Sequence, residues 1–312
     1  MATLADVPDG VLAHVFALLA APNRPAVRLV CKHWCQLARS SHAFWANLKI
    51  VLCSTTSPSA LGVLYRLLAK KKNILIQLEV AAAGAGESLR FTLSNTVVGN
   101  LQSLVTLKVT YAFELPGSFT DRVEAMDLQH FSRLSALRWL TIDIHDNKPE
   151  GEMLEEELIN LFIEPEAGLP LQLPSLPSLT SLHELTLTLC RRLASSPEAW
   201  PPEMSRMTRL HTLRLELLQL PQLPAPVCRL SSLTCLGLEG NQLQTLPEGP
   251  YLSNLRRLSL SWNRLPRIPL ALALASRLEE LDLASNNGPS LWPAGLQVLQ
   301  GLKQLRRELI NW

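Results

Sequence analysis

Three nine-residue stretches of this 312-residue chain superimpose on one template, L-x-x-L-x-L-x-x-N. They are "LTCLGLEGN" from Leu233, "LRRLSLSWN" from Leu255 and "LEELDLASN" from Leu278, with starts 22 and 23 residues apart. Looser copies begin at Leu75 ("LIQLEV"), Leu104 ("LVTLKV"), Leu137 ("LRWLTIDI"), Leu182 ("LHELTLTLC") and Leu210 ("LHTLRLEL"). Leucine makes up roughly a fifth of the residues, well above its usual share. A period of this length means stacked coils. The three leucines of each copy point inward, and no single coil could bury them. The array therefore stands by nearest-neighbour packing, each buried leucine contributing about 1.5–3 kcal/mol against exposure.

These residues resemble leucine-rich repeats, over roughly residues 57 to 312. The resemblance implies an α/β solenoid of eight or nine repeats. Each coil supplies a short parallel strand to a concave sheet. Asn241, Asn263 and Asn286 stand where the chain turns out of the strand, and an amide there can satisfy backbone groups left unpaired. Spacing divides the array. Starts 29 and 33 residues apart between Leu75 and Leu137 leave room for convex helices, and "PSALGVLYRLLAKKK" (58–72) fits one, with Leu61, Leu64 and Leu68 on one face. From Leu210 onward "LPQLP", "LPEGP" and "PRIP" favour extended or turn backbone. The 45-residue step from Leu137 to Leu182 exceeds one repeat. It is read as a degenerate repeat at "LINLFIEPE" (from Leu158) carrying an acidic, proline-rich insertion within 146–178, although "EGEMLEEEL" favours a helix by propensity. After Leu278 the pattern ends, and "PAGLQVLQGLKQLRRELINW" reads as an amphipathic closing segment.

The first fifty residues do not fit the template and read as three short helices. Pro8 opens the first, whose apolar face is Val11, Leu12, Val15, Phe16 and Leu19. Val27, Val30, Cys31, Trp34, Leu37 and Ala38 recur at helical spacing in the second. Ser41 caps a third carrying Phe44, Trp45 and Leu48. A segment this small does not usually support its own core, so its apolar faces need a partner or the first coils. Val7-Pro8, Val11-Leu12, Val15-Phe16, Leu19, "VCKHW" (30–34), Leu37-Ala38 and Trp45 together resemble an F-box. Val7 stands where that signature usually has leucine, and "NRPAV" replaces its usual joint.

The resemblance implies an adaptor-binding module over 1–50, a repeat domain over 51–312, and a role as substrate receptor of a Skp–cullin–F-box ubiquitin ligase. The partners it implies are a Skp-family adaptor, through it cullin and RING subunits, and a protein substrate destined for ubiquitination and proteasomal degradation. The positions matching the motif's adaptor surface are Val7, Pro8, Leu12, Val15, Phe16, Leu19, Val30, Cys31 and Trp34. Helix-in-groove docking of this kind uses apolar anchors at i, i+3, i+4 with an aromatic hot spot. The alternative is a repeat scaffold outside any ligase, its N-terminal helices merely capping the array.

Enzymatic chemistry finds no constellation. Cys31 and Cys35 share a helical face with His33 pointing elsewhere, and no second ligand pair follows. "AAAGAGES" (81–88) lacks a P-loop lysine, and His183-Glu184 lacks the second histidine of a zinc-protease helix. Asp143, His145 and Asp146 read as a strand exit, and "KKK" at 70–72 as cations at a helix C-terminus. Neither cofactor nor metal is expected. A net charge of +2 gives no reason to expect nucleic-acid or membrane binding, and no apolar run reaches the ~20 residues of a span. The acidic N-terminus is unlike a signal peptide, so the expectation is a cytoplasmic or nuclear protein with its six cysteines reduced.

Outward strand positions are the third, fifth and seventh of the template. Among them Lys108, Trp139, Thr141, Asp143, Glu184, Arg214, Glu216, Glu239 and Arg257 form the candidate substrate face. Trp139 stands out, because a large aromatic on an open face is an unusual choice. Either it anchors a protein partner, flanked by Lys108 and Arg214, or the local register is shifted and it is buried.

Overall fold

A computed structural model describes residues 46–53, 66, 68–70, 72–83, 100–113, 126–127, 133–146, 171–172, 178–188, 200–286 and 293–309. Twelve strands follow in chain order. They are β1 (Asn47–Cys53), β2 (Gln77–Ala83), β3 (Thr106–Phe113), β4 (Met126–Asp127), β5 (Trp139–Asp146) and β6 (Leu171–Gln172). Then come β7 (Glu184–Thr188), β8 (Thr212–Glu216), β9 (Cys235–Gly237), β10 (Arg257–Ser259), β11 (Glu280–Asp282) and β12 (Arg307–Leu309). All except β4 and β6 join one open ten-stranded sheet in sequence order, and each recorded pairing is parallel. Sequential parallel pairing is what an uninterrupted solenoid requires.

The coils from Leu104 to Leu278 start alike. The first template leucine donates its backbone N–H to the carbonyl three residues earlier, as in Leu104 to Leu101, Leu137 to Leu134 and Leu210 to Met207. Both ends of that turn are apolar and buried, which is why the sequence repeats L-x-x-L ahead of each strand. The next residue then donates to its counterpart one coil back: Val105 to Ile76, Arg138 to Val105, His183 to Arg138, and onward to Arg306 with Glu279, at 2.8–2.9 Å. Equivalent positions are thereby locked into columns. The eight template-start leucines, 75 to 278, are all fully buried, and with the fourth- and sixth-position residues they form one continuous core.

On the convex side the expected helix over 58–72 is represented by Arg66 and Leu68–Lys70, with Leu68 buried; Leu61 and Leu64 lie outside the described residues. The proline-rich coils adopt single 3₁₀ turns at Pro202–Arg206, Val227–Arg229, Pro250–Leu252 and Leu270–Leu274. Proline fixes φ and lacks a donor, so it suits such a short turn better than a longer helix.

Three expectations need correction. Leu48 lies in β1 and not in a third helix: β1 pairs in register with β2, Leu48 opposite Leu78, and crosses the boundary placed after residue 50. A degenerate repeat at Leu158 would insert a strand between β5 and β7, yet these pair directly, Trp139 opposite Glu184. No strand from the long step therefore stands between β5 and β7, and β6 pairs with β4; residues 147–170, with Leu158, lie outside the described residues. The array also does not stop after Leu278. A helix, α1 (Pro293–Gly301), leads into β12, which extends the sheet with Glu308 in the register position of Leu281. A charged residue in a leucine slot hid that last strand from the template.

Candidate interaction surfaces

Strand alternation sends third- and fifth-position side chains outward while the fourth and sixth fill the core. Trp139 follows this rule: it is 40% exposed, opposite Thr106 and Glu184 in register. The shifted-register reading therefore does not hold. Its ring lies 6.3 Å from that of His183, tilted by 31°, and His183 stacks on His211 at 5.9 Å and 25°. Each histidine holds a backbone carbonyl with Nδ1, His183 that of Ser181 and His211 that of Arg209. The rings are thereby oriented by the turn preceding their own strands. Sequence reasoning had placed neither histidine in a site. The signal was their shared second position in "LHEL" and "LHTL".

The remaining face residues spread over several strands. Lys108 is exposed one strand from Trp139, while Thr141, Asp143 and Glu184 are half-buried. Arg214 and Glu216 form a bond of 3.2 Å, Nη1 donating to Oε1. This pair leans across the next coil, where Gly237 makes room: a Cβ there would sit 3.0 Å from Glu216 Oε1 and 3.3 Å from Arg214 Cγ. Burial disfavours the Arg214 charge, but its hydrogen bond to Glu216 and the surrounding negative charge outweigh this and raise its pKa. Burial pushes the Glu239 carboxyl above the ordinary range, and Glu216 and Asp282 add to this while Arg214 opposes it. Arg257 is exposed. The column closes at β9, where Cys235 is 5% exposed and Gly237 buried, and at Ser261; these positions, expected outside, are covered.

A second exposed tryptophan escaped the template. Trp262, also 40% exposed, occupies the eighth position with φ 54°. Leu217, Gly240 and Ser285 share that position and that left-handed conformation. Glycine at 240 was the legible clue, since only glycine adopts it without strain.

Val7, Pro8, Leu12, Val15, Phe16, Leu19, Val30, Cys31 and Trp34 lie outside the described residues. Among the described residues no group of three or more histidines, cysteines, aspartates or glutamates could hold a metal ion, and no helix is long and apolar enough to cross a membrane.

Comparison with known proteins addresses both parts of the chain. Residues 4–50 match the F-box-like family. InlP of Listeria monocytogenes aligns with a TM-score of 0.51 at 17% identity, over 86% of this chain and 62% of that one, so this chain spans under two thirds of its length. Internalin C2 of the same organism aligns with a TM-score of 0.47 at 15% identity, over 78% and 84% of the two chains. Identities this low speak to fold alone. No curated protein matches the sequence. The chain is an F-box-like segment joined to a leucine-rich repeat solenoid.

Proposed function

We propose that the chain is the substrate-recognition subunit of a Skp–cullin–F-box ubiquitin ligase. The F-box-like segment would bind a Skp-family adaptor, and through it the cullin and RING subunits. The repeats would hold a protein for ubiquitination and proteasomal degradation. The observation that carries this reading is the direct junction of a 4–50 F-box-like match to an open repeat array. In support, the array's outward face carries an exposed tryptophan between Lys108 and Arg214. On this reading the subunit is not itself catalytic, its residues bind, and transfer chemistry belongs to the ligase partners.

The test is affinity purification of the full chain under proteasome inhibition. Wild type should recover a Skp-family adaptor, and Pro8→Ala/Trp34→Ala should reduce that recovery at least tenfold. Trp139→Ala should keep the adaptor and lose a substrate. Wild type failing to recover the adaptor, where another F-box protein succeeds, would sink the proposal. One observation favours a scaffold as second reading. β1 carries the N-terminal segment into the sheet, Asn47 opposite Gln77, as a cap would. A scaffold would keep its repeat-bound partners and recover no adaptor.

A further inference from the structure

Among the described residues, charge is segregated across the solenoid. The sheet has two edges, one where strands begin and one where they end. The leading edge comprises the described residues from five before each coil's first position to one after it, over the nine coils starting at Leu75 through Leu305. It carries eleven lysines and arginines, all exposed, and one acid, Glu279. The trailing edge, from the seventh to the twelfth position, carries one cation, Arg264, among its described residues. Against it stand four acids, Asp143, Asp146, Glu216 and Glu239. The second-position hydrogen bonds hold the coils in register, so these cations, from seven of the nine coils, gather along one edge; the coils starting at Leu104 and Leu182 carry none among the described residues.

Three features give this strip a direction. Eight of its eleven cations are arginines, Arg133, Arg138, Arg206 and Arg209 among them. Arginine's planar fork matches a carboxylate in two parallel bonds, which a lysine cannot do. Glu279, the lone acid, already shows that this edge takes a carboxylate: Arg256 on the neighbouring coil donates Nη1 to its Oε1 at 2.9 Å. A second chain of carboxylates would meet further arginines along the edge, Arg138 and Arg306 at the same template position as Arg256. Finally, Trp139, His183 and His211 run alongside, but the histidine faces are turned on one another. Single-stranded nucleic acid needs bare aromatic faces on which bases stack, and this stack does not offer them. It offers instead a ridge of ring edges beside the cations.

We propose that the leading edge of the sheet, centred on Arg138, Arg209 and the Trp139–His183–His211 stack, is a docking surface for an acidic segment of a protein partner. This goes beyond the ligase reading and does not depend on it, since the adaptor does not enter the argument and Trp139 alone is drawn from the outward strand face. Such a surface accelerates encounter as well as holding the partner, and it weakens with salt.

The full chain is titrated against a fluorescein-labelled fifteen-residue glutamate-rich peptide, with a fifteen-nucleotide oligothymidine as rival, by fluorescence anisotropy. The expected result is saturable peptide binding that weakens several-fold as salt rises from about 50 to 150 mM. Arg138→Glu/Arg209→Glu should weaken it at least tenfold. Arg264→Glu/Arg267→Glu, equally exposed but away from this edge, should change it less than twofold. Arg138→Gln/Arg209→Gln, milder for the fold, should fall between, and the thermal transition of each variant checks folding. Absence of peptide binding overturns the proposal, as does an equal loss in both charge-reversal variants. Tighter binding of the oligonucleotide, abolished by the Arg138/Arg209 variants, would also overturn it and assign the edge to nucleic acid.

Discussion

The two ends of the sheet solve the same problem differently. β2, β3 and β5 run for seven or eight residues, whereas β9, β10 and β11 stop after three. The first and fourth positions are buried leucines in both, whereas the sixth is Val80, Val109 or Ile142 in the long coils and Leu238, Leu260 or Leu283 in the short ones. The ninth position differs as well. In the short coils it is asparagine, and Asn241 shows how it acts. Its Nδ2 donates to the carbonyls of Leu215 and Leu238 at 2.7 and 2.9 Å, and its Oδ1 accepts from the N–H groups of Leu218 and Leu220. Asn263 and Asn286 each repeat the scheme one coil further on. The amide supplies the bonds that a continuing strand would have made, so the backbone can leave the sheet. Just before it, the left-handed eighth residue makes the bend. The long coils have Ala83, Ala112 and His145 at the ninth position, and there the strand continues. The shortest strands thus pair a leucine at the sixth position with an asparagine at the ninth, and the longest have a β-branched residue at the sixth and no asparagine.

The largest effect should come from removing one rung. Asn263→Ala leaves the Leu243 N–H without its partner in a buried setting and removes one of two donors from each of the Leu238 and Leu260 carbonyls, which keep Asn241 and Asn286. At roughly 1–3 kcal/mol for a stranded buried group, a net loss of about 3 kcal/mol is expected by urea unfolding. A loss under about 1 kcal/mol would break the comparison. Next is Gly240→Ala. A Cβ would lie 2.3 Å from Leu217 Cδ2 at a φ of +67°, and with the left-handed cost of roughly 1–2 kcal/mol this should lower stability by about 2 kcal/mol. Circular dichroism melts of Gly240→Ala, Asn241→Ala and the double variant would show whether bend and amide act as one unit, since coupled residues are non-additive. The smallest effect concerns Glu239. Its folded pKa is raised above its unfolded value, so the native state binds more protons between the two and stability falls as pH rises through that window. Glu239→Gln should therefore raise Tm modestly at pH 7, with the gain vanishing below about pH 4, where the carboxyl is protonated in both states. A gain independent of pH would remove electrostatics from the account of these crowded coils.

How much was legible varies residue by residue. The eight leucine starts and the outward exposure of Trp139 follow from periodicity, because inward and outward alternate wherever a strand packs on a core. The asparagines were legible for the same reason: a polar residue recurring at one place in an apolar repeat must be answering backbone groups. Leu48 was misread because a single apolar residue fits helix and strand equally until its neighbour is known. β12 was missed because Glu308 breaks the template, and the Leu158 match imitated a strand that β5 and β7 leave no room for. Cys235 and Ser261 share the spacing of exposed positions, yet neighbouring coils cover them.

By itself, then, the sequence determined that the chain must stack, since repeated L-x-x-L-x-L coils have no other means of burying their leucines. It determined where the coils begin, and it carried the F-box-like segment at 4–50 in its own residues. Tertiary structure alone decided what the columns amount to. Among the described residues, charges scattered along the sequence gather into a basic leading edge and a more acidic trailing one only when stacking superimposes equivalent positions. The His183–His211 stack exists only because 28 residues of chain return to the same column one coil on. The reason is that spacing fixes which way a side chain points within its own coil, whereas its neighbours belong to other coils, and only the register between coils brings them together.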